Sequence, residues 1–239
     1  MKAEKGFSTG SNAEENDEPP KTGFNKDSAH LIVRPGGVLL TVLSDIRLTP
    51  VYKVNFSDDD ETPYTGSTEF HFKYDEEDPD NHQNWNGHLF PGFEAVYGFN
   101  MVNVSHYDFA TKSTKNLFPQ NVLVGTLYYP AFTKDTVNGA LVERKFMMVS
   151  AYTADTNKDG FINLKDLRSM YLFNMQGEMQ NRVVPEGYSV YKSEYDQAND
   201  CMYIHAQFDE NKNGMRDPSE PTHVFWINLN NPAGTGRVY

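Results

Sequence analysis

One cysteine, Cys201, is all this chain of 239 residues holds. No intramolecular disulfide can form, so the fold must be held by burial, hydrogen bonds or bound ions. Cys201 sits in an apparent strand, "CMYIHAQF", where a small, weakly polar side chain packs well. No run reaches the roughly 18 apolar residues of a membrane helix. Positive charge is also short, with 21 Lys and Arg against 33 Asp and Glu for a formal charge of -12. Such an average field repels a phosphate backbone and excludes nucleic acid as a partner. Also missing are HExxH, G-x-S-x-G, a Walker loop and GxGxxG. Long amphipathic helical periods are absent too, apart from a turn or two expected near "NLKDLRSM".

Aromatic residues are abundant, at 13% of the chain, mostly Tyr and Phe, and aromatic enrichment favours strands. From His30 onward short aromatic or β-branched segments alternate with Gly, Pro, Asn and Asp. Examples are "GGVLLTVLSDIRL", "NVLVGTLYYPAF", "RKFMMVSAY", "YSVYKSEYD" and "THVFWINL". The sequence predicts a mainly β fold of repeated antiparallel meanders. Residues 1–29 differ: they are polar, acidic and rich in Gly, Pro, Ser and Asn, too poor in apolar surface to order themselves. The expected organisation is a flexible tail over 1–29 and a single β-rich domain over 30–239.

An internal repeat is present. Val104 to Pro119 aligns without a gap with Met170 to Pro185. Tyr107 falls on Phe173, Asp108 on Asn174, Leu117 on Val183 and Pro119 on Pro185. A partial third copy starts at Val224. Two Asp/Asn-rich loops, "DTNKDGFINLKD" (155–166) and "DENKNGMRDPSE" (209–220), each begin fifteen residues before the repeat point of their copies. The order of a unit is therefore strand, strand, loop, strand, strand. The first copy instead has a long acidic insertion after "EFHFKY", and Asp75 to Asn81 within it is a candidate for a third ion or a solvated surface loop.

Both loops have the spacing of an EF-hand calcium loop, which offers oxygens at positions 1, 3, 5, 7, 9 and 12 and a Gly at 6. The first offers Asp155, Asn157, Asp159, the Phe161 carbonyl, Asn163 and Asp166, with Gly160 at the turn and Ile162 as apolar anchor. Asp166 stands where Glu is commoner; a shorter carboxylate weakens calcium binding or admits magnesium. The second offers Asp209, Asn211, Asn213, the Met215 carbonyl, Asp217 and Glu220, with Gly214 at the turn. Arg216 replaces the apolar anchor, so loop-to-loop pairing is not expected there. Pro218 and Pro221 argue against an exiting helix. The loops resemble the DxDxDG calcium loops of secreted and envelope proteins. The wider unit, with Ser193, Asp196 and Asn199 at its turn, resembles TolB-type β-propellers of bacterial envelopes, although only about three units are present where propellers have four to eight.

These resemblances imply an extracytoplasmic protein (periplasmic, secreted or an outer-membrane lipoprotein) with two structural Ca2+ ions. The tail is similar to the tether of mature bacterial lipoproteins, which implies a lipid anchor ahead of it, although no lipobox is present. The function expected is non-enzymatic binding of a protein or surface polymer. The alternative is a calcium-dependent hydrolase of polysaccharide or envelope polymer. Its carboxylates would come from Asp58, Asp59, Asp60, Glu61, Asp75, Glu76 and Glu77, and aromatics such as Trp85, Tyr97 or Trp226 would stack on sugar.

Overall fold

A computed structural model describes residues 6–8, 31–56, 62–65, 68–69, 90–130, 132 and 134–239. No α-helix occurs among them, and every strand pairing is antiparallel. The helical turn expected near "NLKDLRSM" is reduced to one turn, Asp166 N–H to the Asn163 carbonyl (3.3 Å), with no helix. Asp166 there uses its carboxylate on loop backbone, and Arg168–Asn174 is already strand.

Short strands open the chain: β1 (Gly6–Ser8), β2 (Val33–Pro35) and β3 (Leu39–Leu40), followed by the long β4 (Ile46–Phe56). Then come β5 (Pro63–Thr65), β6 (Thr68–Glu69), β7 (Phe93–Gly98), β8 (Met101–Asp108), β9 (Ser113–Asn116) and β10 (Leu123–Pro130). A small hairpin, β11 (Asp135–Val137) and β12 (Ala140–Val142), precedes β13 (Phe146–Tyr152), β14 (Phe161–Asn163), β15 (Arg168–Asn174) and β16 (Met179–Arg182). The last strands are β17 (Tyr188–Asp196), β18 (Cys201–Phe208), β19 (Thr222–Asn228) and β20 (Thr235–Arg237).

Three sheets matter. The first runs β2-β4-β8-β9, with β3 and β5 also on β4; the central one runs β16-β15-β13-β10-β7-β6; the last runs β17-β18-β19-β20. The central sheet is buried on both sides. Leu127, Tyr129, Met147, Val149 and Phe173 pack against Leu48, Tyr52, Met101 and Val104 of the first sheet. Tyr128, Met148, Met170 and Leu172 point the other way, onto Val190, Met202, Ile204, Phe225 and Ile227 of the last. This is why "FMMVSAY" is apolar without alternation: β13 is buried at every position, as strands covered on both faces must be.

The sequence repeat is a structural one. Its copies are the terminal hairpins β8–β9, β15–β16 and β19–β20. The same backbone bond recurs: Leu117 N–H donates to the Val104 carbonyl (2.9 Å), Val183 to Met170 (2.8 Å) and Val238 to Val224 (2.8 Å). Asp108, Asn174 and Asn228 hold equivalent turns by accepting backbone N–H groups. Each turn is thus closed by a short acceptor side chain, the reason this position is Asp or Asn.

Arg144 ties the central sheet to the last. It is 1% exposed and makes two bonds to Asp200 (2.8 and 2.7 Å) and one to the Pro91 carbonyl (2.9 Å). Asp200 also accepts from the Tyr195 hydroxyl (3.0 Å). Arg144→Ala strands that carboxylate in the interior. Urea unfolding is expected to show a loss of about 3–5 kcal/mol. Arg144→Met with Asp200→Asn, which leaves no charge buried, is expected to recover part of it.

Candidate metal-binding loops

The two Asp/Asn-rich loops occupy the same place in successive sheets. Loop 155–166 joins β13 to β15, and loop 209–220 joins β18 to β19. In the first sheet the corresponding connection runs from β4 to β8. It contains β5, β6 and β7 and the acidic insertion, whose residues 74–89 lie outside the described residues. Asp58 to Glu61 and Trp85 lie outside them as well.

The loops share a backbone course. Position 4 is left-handed in both (Lys158, φ 60°; Lys212, φ 58°), and so is position 6 (Gly160, φ 87°; Gly214, φ 74°). They also share hydrogen bonds. Asp155 accepts from Asp159 N–H (3.0 Å) and Gly160 N–H (2.9 Å); Asp209 accepts from Asn213 and Gly214 (both 3.0 Å). Asn157 and Asn211 each accept from position 5 (3.0 and 2.9 Å). Asp159 and Asn213 each accept from position 7 (3.0 and 2.8 Å). At position 12, Asp166 accepts from Asn163 N–H (2.8 Å) and Asn157 N–H (3.3 Å), and Glu220 from Asp217 and Asn211 (both 3.4 Å). Two sequences with different side chains fold to one pattern because oxygen acceptors recur at positions 1, 3, 5 and 12.

Three of these acceptors are deeply placed. Asp166 is 1% exposed, and Asp209 and Glu220 are each 9% exposed. None of the three is ion-paired with a Lys, Arg or His among the described residues; the one ion pair in the loops joins exposed Lys165 and Asp159 at 4.0 Å. Burial pushes the Asp166 carboxyl above the ordinary Asp range, against the pull of its N–H donors. At Asp217 in the second loop, Ser219 N–H and hydroxyl donors hold the carboxyl below that range. Among the described residues no three His, Cys, Asp or Glu side chains close around one point, the acids of each loop included. The other oxygens each loop offers are Asn side-chain oxygens and the carbonyl of Phe161 or Met215.

The loops touch each other, at a contact no spacing rule reveals. Thr156 donates its hydroxyl to the Gly214 carbonyl (2.6 Å) and accepts Leu167 N–H (2.9 Å). A Cβ on Gly214 would stand 1.9 Å from the Thr156 carbonyl oxygen. Gly214 is thus required twice, by its left-handed turn and by its neighbour. Position 8 makes no such contact. Ile162 fills a small cluster with Val102, Leu123 and Tyr152, whereas Arg216 lies 5.5 Å over the Tyr191 ring. The edge of β14, at positions 7 to 9 of the first loop, is paired instead with β1: Gly6 faces Asn163 and Ser8 faces Phe161. Gly6–Ser8 thus gain a strand partner; the rest of the tail expected over 1–29 lies outside the described residues.

The histidines among the described residues do not gather. His106 is buried and bonded to the Met175 carbonyl (2.8 Å). His205 meets Glu194 (3.0 Å), and His223 meets the Tyr188 hydroxyl (2.8 Å). Burial raises the Cys201 thiol above its usual range. Tyr97, a candidate sugar stacker by sequence, has a hydroxyl held well above the ordinary phenol range by burial and by Tyr128.

No family model matches the chain, and no curated protein matches it. A solved structure of a TolB protein from Agrobacterium tumefaciens is similar over 87% of this chain and 81% of its own, at 7% identity and a TM-score of 0.24. A likeness this low assigns neither fold nor function. No helix among the described residues is long and apolar enough to cross a membrane.

The loop contact is testable by two glycines. Gly139 is left-handed (φ 80°) with nothing near its missing Cβ, so Gly139→Ala is expected to cost about 1–2 kcal/mol. Gly214→Ala adds collision with backbone and is expected to exceed about 4 kcal/mol. Equal losses in urea unfolding would rule out the tight approach of the loops.

Proposed function

We propose that this chain is an extracytoplasmic, non-enzymatic binding module in which each loop holds a structural Ca2+ ion. One observation carries the reading: three buried carboxylates, Asp166, Asp209 and Glu220, with no cationic side chain paired to them among the described residues. Buried charges are ordinarily paired or bound to metal. The donor chemistry fits a hard cation, being oxygen throughout. Asp155, Asn157, Asp159, the Phe161 carbonyl, Asn163 and Asp166 would hold one ion. Asp209, Asn211, Asn213, the Met215 carbonyl, Asp217 and Glu220 would hold the other.

The ions would supply positive charge where the fold supplies none. They would also fix the connection between two strands of a sheet, twice over, at a place where the connections themselves touch. No helix flanks either loop among the described residues, so the reorientation of helices used by calcium sensors has nothing to act on. Strand ends of this kind favour a static role. Loops with modest affinity suffice where calcium is millimolar, outside the cytoplasm, and this supports the extracytoplasmic placement.

Thermal unfolding with calcium and with EDTA tests the reading. At calcium one hundred times the Kd, each ion adds about 2.7 kcal/mol. For a chain of this size that is a rise of roughly 5–10 °C per site. Asp155→Ala and Asp209→Ala are each expected to lose about half of the calcium-dependent rise. An identical melting temperature in calcium and in EDTA, with the protein confirmed metal-free, would reject it.

A further inference from the structure

The last sheet has a second face. Its core side carries Val190, Met202, Ile204, Phe225 and Ile227. Its other side carries Glu194, Tyr203, His205 and Trp226, all partly exposed, and none of these belongs to an apolar cluster among the described residues. Large aromatic side chains on the outer face of a terminal sheet call for a reason, since charged or small polar residues would serve solubility better.

The strand register sets these side chains in order. Glu194 faces Tyr203, Tyr203 faces Trp226, and Trp226 faces Gly236, in one row across all four strands. Gly236 matters to the row. A Cβ there would stand 2.5 Å from the Trp226 Nε1 and 3.0 Å from its Cε2. A Cβ on Gly234 would stand 3.8 Å from the Cζ3. The indole therefore reaches over the edge strand against Gly236 and Gly234 and stays partly exposed. Tyr203 is its neighbour one strand away, about 4.8 Å. Around the rings stand hydrogen-bonding groups: Tyr203 donates to Asp196 (3.2 Å), and His205 and Lys192 meet Glu194.

We infer that this face binds a neutral polysaccharide, with sugar rings laid on Trp226 and Tyr203 and hydroxyls bonded by Asp196, Glu194 and His205. The C–H face of a pyranose is electron-poor and matches the negative face of an aromatic ring. Sugar hydroxyls both donate and accept, so they can meet the carboxylates and the imidazole alike. A protein partner matches the face less well, because interface cores are depleted of charge and Lys192, Glu194, Asp196 and His205 would all be desolvated with the rings. Nucleic acid is opposed by the two carboxylates and by the net charge of -12. This inference rests on the reading of the chain as a binding module and gives its partner a chemical class. It does not rest on the metal.

Affinity gel electrophoresis tests it, with soluble β-glucan, galactomannan, arabinoxylan and soluble α-glucan as probes. Wild type is expected to be retarded by at least one of them. Trp226→Ala and Tyr203→Ala are each expected to weaken that retardation tenfold or more, and Trp226→Phe to retain part of it. Phe132→Ala, which removes an exposed aromatic elsewhere (62% exposed), is expected to change nothing. Each variant is accompanied by a thermal melt, so that loss of binding is separated from loss of fold. Migration unaffected by all four probes overturns the inference, as does retardation that Trp226→Ala leaves intact in a folded protein. A self-association seen by gel filtration and lost in Trp226→Ala would also overturn it, assigning the face to a second copy of the chain. The metal reading fails separately: calcium-independent melting with a Trp226-dependent gel shift leaves the glycan face standing.

Discussion

The structure depends on a central sheet that has apolar surface on both sides. β13 is buried along its whole length, so neither of its faces can meet water, and a sheet is required on each. The first and last sheets answer that demand, and the three-layer arrangement follows. It also explains where the repeats end up. The hairpins β8–β9, β15–β16 and β19–β20 each close a sheet, because each repeat contributes the final two strands of its layer. The connections that lead into those hairpins then fall beside one another, as the 2.6 Å bond between Thr156 and Gly214 shows.

Two buried charge arrangements contrast sharply. Arg144 lies at the join of two sheets with a carboxylate, a carbonyl and an aromatic ring (Phe93, 5.5 Å) around it. Every requirement of that cation is met by the chain itself, and it works as a clamp. Asp166, Asp209 and Glu220 receive N–H donors and, at Asp166, the Thr156 hydroxyl (3.2 Å), all of them neutral. Backbone dipoles soften the cost of burying a carboxylate but do not cancel its charge. The same interior thus contains a cation that is complete and anions that are not. The proposal of bound calcium rests on this difference.

Much of this was legible in the sequence, and the exceptions are physical. The apolar run of β13 marked it as a strand, and the structure adds that both its faces are covered. The repeat was readable because each copy must close the same turn with a short acceptor, Asp108, Asn174 or Asn228. The loops were readable because their acceptors are local, within twelve residues. Contacts across long separations left no such trace. Arg144 and Asp200 are 56 residues apart, and either could have been an ordinary surface charge. Thr156 looks like any loop threonine until Gly214 is placed against it. The helical turn expected near "NLKDLRSM" is a single Asn163–Asp166 turn, because Asp166 spends its carboxylate on the loop and strand follows at once. The outer row of Tyr203 and Trp226 needed the strand register, since the two residues lie in different strands and nothing in the chain aligns them.

The pairing of β1 with β14 has a consequence for the order of events in folding. Gly6 meets Asn163 across more than half the chain, whereas the hairpins beside it join neighbours. Closing so long a span carries an entropic cost that short turns avoid, and three residues of ladder return little for it. Contacts of this kind form after the local ones are in place. β1 is therefore the last strand to dock and the first to leave, and the carbonyl-bearing edge of the first loop is uncovered at both moments. The ladder amides of β14 would thus exchange together with those of β1, because no other strand pairs with β14 among the described residues.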